Sequence, residues 1–288
     1  MKTIKYFFQF LIIIFLFLLF KILGLRLSSN ISYLIVKFLG PFFRSKKIIS
    51  SNILRAFPNL NKDEIKKISK EMWGNYGRIL SEYIFIKYFR KSKSNSKYNL
   101  EIHGQEILDQ IKIEKQRVIF ISGHFNNFEL MAMQIEKSGI NLAAIYRPLN
   151  NKFLNYFMEK IRKKYICKNQ IKKGISGTKK LLTSFKKGSS IALMIDQRVS
   201  QGIKSNFFNQ EALTTTIPAQ FVKKFNCKIV PIYIERVQNI NFRLIVHAPI
   251  EFTKDETIAT ITLQLNSLLE KMILKNPSQW IWSHNRWK

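Results

Sequence analysis

His124 and Glu129 stand five residues apart in the stretch that runs from Val118 to Leu130. An imidazole backed by a carboxylate is a general base with an orienting partner: the ring takes a proton, and the carboxylate fixes its tautomer and stabilises the resulting cation. The spacing restricts how the two can meet. On one continuous helix they would lie about 140° apart, at about 100° per residue. His124 must therefore sit on a turn before the helix that carries Glu129. No Ser or Cys stands in a nucleophile-elbow pattern nearby. The substrate must then bring its own nucleophile, most simply a hydroxyl.

The surrounding residues supply such a turn. Val118-Ile119-Phe120-Ile121 is β-branched and aromatic and reads as a buried strand; Ser122-Gly123 breaks it, and Asn126 or Asn127 is expected to cap a helix starting near Phe128. Downstream, strands are expected at 141–146, 190–195, 227–234 and 242–248. Helices are expected at 151–165, 176–187, 218–225 and 254–274. This alternation predicts an α/β fold with a largely parallel central sheet flanked by helices, in which ligands bind at the carboxyl ends of the strands. Three strand ends then deliver polar groups: His124, Arg147, and Asp196 with Arg198. Arg147 has the planar fork that suits a phosphate or carboxylate. Arg162 lies in the following helix among Lys160, Lys163 and Lys164, where a solvated basic face competes with a ligand contact.

Three regions are expected. Residues 1–25 are apolar apart from Gln9 and a few Lys, near the roughly 20 residues that a spanning helix needs. No small-residue cleavage site follows, so an uncleaved membrane anchor is expected. Residues 26–97 read as a helical membrane-proximal region, with Tyr33 to Phe43 able to extend membrane contact and Asn61 and Glu64 set for a capping box. The polar, basic run at 90–97 marks the boundary to an α/β core at 98–288. The net charge of +30 points to an anionic partner, with part of the Lys excess attributable to the Lys-, Ile-, Asn- and Phe-rich composition. No zinc-finger spacing, RNP-like motif or Arg-rich arm supports nucleic acid. Cys167 and Cys227 define neither a disulfide framework nor a metal site.

The His-x-x-x-x-Glu spacing resembles the H-x-x-x-x-D/E motif of glycerolipid-type acyltransferases. Other features, in order, are similar to the lipid A biosynthesis (lauroyl/myristoyl) acyltransferase family. They are the anchor, Asn52 with Phe57-Pro58, Gly123-His124-Phe125 with Glu129, Tyr146-Arg147-Pro148, Asp196-Gln197, Phe207-Phe208 with Thr216 and Pro218, Val230-Pro231, and the segment from Pro277 through Trp280, Trp282 and His284 to Lys288. The resemblance implies His124 and Glu129 as the catalytic pair, with Arg147, Arg162 and Asp196 in substrate binding. It implies an acyl carrier protein donor, an anionic lipid A precursor as acceptor, and no metal or organic cofactor. It also implies the inner membrane, with the site facing the cytoplasm. Two alternatives stand beside it: an acyltransferase for another glycolipid or phospholipid, and a non-catalytic, basic, membrane-tethered binding protein.

Overall fold

A computed structural model describes residues 2–92 and 100–288. Helices come first: α1 (Lys2–Leu23), α2 (Leu25–Leu39), α3 (Lys46–Ala56), α4 (Lys62–Glu82) and α5 (Ile86–Lys91), with 3-10 turns at Gly40–Phe42 and Tyr83–Phe85. Each boundary has a local cause. Ser45 accepts from the Ile48 amide at the start of α3, which ends before Pro58. Asn61 and Glu64 form the expected capping box of α4. That helix stops at Glu82, not near Tyr88 as its pattern suggested, because a 3-10 turn resets the chain before α5. The basic run begins inside α5, and its remainder from 93 lies outside the described residues.

Helices α2 and α4 pack at very short range. A Cβ at Gly77 would fall 2.1 Å from the Ser32 carbonyl oxygen, and one at Gly74 would fall 2.3 Å from the Tyr33 ring. Only glycine permits this approach. α1 runs alongside the later helix Lys152–Tyr165, with Phe7 and Phe10 against Phe153 and Phe17 against Phe157.

The α/β part runs β1 (Leu100–His103), α6 (Gln105–Ile113), β2 (Ile119–Ser122), α7 (Glu129–Lys137), β3 (Leu142–Tyr146), α8 (Lys152–Tyr165), β4 (Asn169–Lys172), α9 (Ile175–Lys186) and β5 (Ser190–Met194). It continues through β6 (Ile203–Phe207), β7 (Gln210–Thr214), α10 (Ile217–Phe225), β8 (Ile229–Gln238), β9 (Asn241–Val246) and α11 (Ile258–Lys275). Seven strands form one sheet in the order β1-β9-β8-β2-β5-β3-β4. Every neighbouring pair in it is parallel except β8 with β9, which bears out the largely parallel sheet. All of β2 is buried, as a central parallel strand covered on both faces requires. β6 and β7 form a separate antiparallel hairpin that Asn266 of α11 ties down through the Asn206 carbonyl at 2.8 Å.

Candidate active site

Because β2, β5 and β3 are adjacent and parallel, the chain leaves all three at the same edge of the sheet. His124 follows β2, Asp196 follows β5, and Arg147 follows β3. The imidazole Nδ1 of His124 lies 2.8 Å from Asp196 Oδ1. The His124 backbone amide donates to Asp196 Oδ2 at 2.8 Å, and Trp280 Nε1 donates to the same oxygen at 2.9 Å. Asp196 is completely buried, whereas about a fifth of the His124 side chain is exposed, at 21%. With Nδ1 on the carboxylate, Nε2 is the ring nitrogen left for a substrate. Burial disfavours the imidazolium, but the charge and hydrogen bond of Asp196 and the charge of Glu129 outweigh it, so the pKa of His124 is raised. Burial likewise opposes the Asp196 carboxylate, and its bonds to His124 and Trp280 overcome that and hold its pKa low.

The structure therefore puts a different carboxylate on the imidazole from the one the spacing singled out. Glu129, the first residue of α7, reaches away to α8, where Arg162 donates to its Oε1 from Nε at 2.8 Å and from Nη2 at 2.5 Å. Its charge still acts on His124. Arg162 is no solvated basic residue: its side chain is 12% exposed, it lies against the rings of Tyr83 and Tyr146, and its Nη1 has no partner. Arg147 is exposed at the cavity mouth.

No asparagine side chain caps α7. Asn126 instead adopts a left-handed conformation, with φ of 38°, and anchors the turn. Its backbone N–H donates to the Gln279 carbonyl at 2.9 Å, and its Oδ1 accepts from the Asn127 amide at 3.0 Å and from Arg236 Nη2 at 2.8 Å. Arg236 is itself clamped to Glu82 at 2.7 and 2.9 Å, and Glu82 also accepts from Ser29 and Asn127. A sealed ion pair thus braces the turn that presents His124. Neither it nor the Trp280 contact was anticipated from the sequence. The C-terminal segment is distinctive in sequence, but pattern alone does not say what a buried Trp N–H or Arg bonds.

His124 faces a cavity of about 1060 Å³. Its inner wall is apolar, with Phe120, Met131, Ala132, Ile135, Ala144 and Ala192 contributed by α7 and the sheet. Its mouth is basic, with Arg44, Arg147, Lys173, Lys179, Arg198 and Lys288. An apolar slot inside a cationic rim fits an amphiphile with an anionic head. No hydrogen bond joins His124 to a hydroxyl or thiol among the described residues; Ser122 Oγ points to Met131 and to the Gly123 carbonyl.

A carboxylate-held imidazole at the edge of a parallel sheet, beside an apolar cavity with a basic mouth, suits a transferase that acts on lipids. The comparison with known families agrees: the profile of the bacterial lipid A biosynthesis acyltransferases matches residues 1–288, and the chain belongs to that family. It is thus an acyltransferase of lipid A biosynthesis. The lipid A biosynthesis lauroyltransferase of Escherichia coli K12 is 24% identical over 271 residues, covering 91% of this chain and 84% of that protein. The palmitoleoyltransferase of the same organism is 23% identical over 278 residues, covering 92% and 88%. Its myristoyltransferase is 20% identical over 249 residues, covering 85% and 75%. Among solved structures, the 1-acyl-sn-glycerophosphate acyltransferase of Thermotoga maritima aligns with a TM-score of 0.39 and 9% identity, over 89% of this chain and 98% of that one.

Proposed function

We propose that this enzyme moves a fatty acyl chain from the thioester of an acyl carrier protein to a hydroxyl of an anionic lipid A precursor. The observation that carries the reading is His124 held by Asp196 at the mouth of an apolar cavity with a cationic rim. His124 Nε2 takes the proton of the acceptor hydroxyl as its oxygen attacks the thioester carbonyl. The tetrahedral intermediate collapses, the C–S bond breaks, and the leaving thiolate takes the proton back from the imidazolium. Asp196 fixes the tautomer and stabilises the cation. Glu129 holds Arg162 in place and adds negative charge near His124, and Arg162 Nη1 and Arg147 bind anionic or carbonyl groups of the substrates. The acyl chain occupies the slot between α7 and the sheet.

The same surfaces support a location at a membrane. α1 is long and apolar enough to cross a bilayer. Phe38, Phe42 and Phe43 are exposed, and Arg44, next in the chain, lies at the cavity mouth. That arrangement supports a cavity that opens towards a lipid surface, which we assign to the inner membrane with the site on its cytoplasmic side. The basic rim and the charge of +30 steer an acidic carrier and a phosphorylated lipid to the same mouth. The test is transfer from labelled acyl–acyl-carrier-protein to a Kdo-bearing lipid A precursor in detergent. The reading predicts robust transfer that weakens as salt rises. Transfer to glycerolipid acceptors alone, or none at all, would overturn it.

A further inference from the structure

His284 is a second imidazole on the reaction cavity, and its protonation state is set by the backbone. The Arg198 amide N–H donates to His284 Nε2 at 3.0 Å. An amide N–H can only donate, so Nε2 must accept, and the proton of the neutral ring resides on Nδ1. Nδ1 has no hydrogen-bond partner among the described residues, while the side chain lines the cavity that His124 faces. The ring is held firmly. Asn52, almost fully buried, donates to the His284 and Trp282 carbonyls, both at 2.8 Å. Two residues further on, Arg286 is buried on the Leu213 carbonyl and Thr214 Oγ1 at 2.7 and 2.6 Å. The anchoring amide lies two residues after Asp196, so one short segment positions both the carboxylate of the base and the acceptor site of the second ring.

Acyl transfer needs donors aimed at the oxyanion. The turn after His124 offers few, because the amides of Asn126 and Asn127 are engaged with the Gln279 carbonyl and Asn126 Oδ1. We propose that His284 is a catalytic residue: its Nδ1–H donates to the carbonyl oxygen of the acyl thioester as negative charge develops there. A neutral donor suits that place. A Lys or Arg in that place would oppose the imidazolium that must form on His124, whereas an Nδ1–H imidazole stabilises the oxyanion and adds no net charge. Burial lowers the pKa of His284, with smaller opposed contributions from Asp196 and His124, so the ring stays neutral while His124 titrates.

The assignment of the donor to the thioester rests on the acyl-transfer reading; the tautomer rests on geometry alone. Two substitutions separate donor from anchor. His284→Gln can still accept the Arg198 amide through Oε1 but has no donor where Nδ1 was. His284→Asn places an amide N–H near the Nδ1 position and loses the anchor. We expect His284→Ala and His284→Gln to lower kcat by about 10²-fold with KM for the acceptor within about twofold, and His284→Asn to recover most of it. Melting temperatures identify any variant that fails to fold. Wild-type kcat in His284→Gln, or a loss confined to KM, would overturn the catalytic role. Independently of any turnover, the imidazole ¹⁵N spectrum of the full chain in detergent, assigned with His284→Gln, should show Nδ1 protonated and Nε2 bare. An Nε2–H or doubly protonated ring would contradict the inference even if transfer were absent. A failed acyl-transfer assay with an Nδ1–H ring would count against the reaction assigned to the enzyme, and with it against the thioester as the donor's target.

Discussion

Glu82 and Asp196 are both completely buried, both hold a cationic or potentially cationic partner, and both touch the turn that carries His124. Their partners make them different devices. Glu82 faces Arg236, which cannot lose its charge, and the pair is closed off by Ser29, Asn126, Asn127 and the Asn239 carbonyl. It is a brace: two opposite charges locked together by hydrogen bonds in the interior. Asp196 faces an imidazole with one nitrogen turned to the cavity, so its charge works on a group whose protonation can change. Burial sharpens both interactions by excluding water. It yields rigidity where the partner is permanently charged and basicity where the partner is titratable.

The comparison can be broken most severely at the second device. Asp196→Asn keeps the volume but presents a group that disfavours the working tautomer. Acyl transfer should fall by about 10³–10⁴-fold, or about 4–5.5 kcal/mol of transition-state stabilisation, with the fold retained. Circular dichroism beside the transfer assay checks both halves. At the brace the expectation reverses. Glu82→Ala strands Arg236 in the interior and should cost about 3–5 kcal/mol of stability, read by denaturant or thermal unfolding in detergent. Replacing Glu82 and Arg236 together with apolar residues should recover much of that stability.

A smaller effect separates the tryptophans. Trp280→Phe removes one donor from Asp196 but keeps a large aromatic ring. It should lower transfer by roughly tenfold, near the lower end of what a hydrogen bond to a charged group contributes, about 1.5–3 kcal/mol. Trp282 donates from Nε1 to the Pro277 carbonyl, not to Asp196. Trp282→Phe should therefore affect unfolding more than kcat.

Much of this was legible in the sequence because it depends on local pattern. The buried run of β2, the capping box at Asn61 and the strand–helix alternation placed His124, Arg147 and Asp196 at one edge before any coordinates. β1, α6, β4 and the β6–β7 hairpin were missed, since they are short and their apolar residues alternate weakly with Lys, Asn and Gln. The site was legible in membership but not in pairing. Glu129 is near His124 in sequence, and Asp196 is 72 residues away, so only the adjacency of β2 and β5 shows which carboxylate receives the ring. Arg162 could be read either way until α8 was seen to turn it inward onto Glu129. Arg198, which carried no role in the sequence, acquires one through its backbone amide, an atom that residue identity does not report.

The pH dependence has a definite sign. In the proposed mechanism His124 works as a base in its neutral form, and its pKa is raised. Transfer should therefore fall on the acid side through a midpoint above the ordinary histidine value of about 6.5. Stability runs the other way. The imidazolium's contribution is full below about 6.5 and is lost as pH rises through the raised value. The Asp196 carboxylate contributes above about 3.9 and loses its effect only as pH falls through its lowered value.

In the proposed mechanism Asp196 is the carboxylate that makes His124 a base. The most direct test of that role is the pH profile of kcat/KM for acyl transfer in wild type, Asp196→Asn and Glu129→Gln. The account predicts that Asp196→Asn moves the acid limb to lower pH along with its large loss of rate, and that Glu129→Gln moves the limb less. A limb unmoved by Asp196→Asn and strongly displaced by Glu129→Gln would contradict it, and would return the imidazole to Glu129.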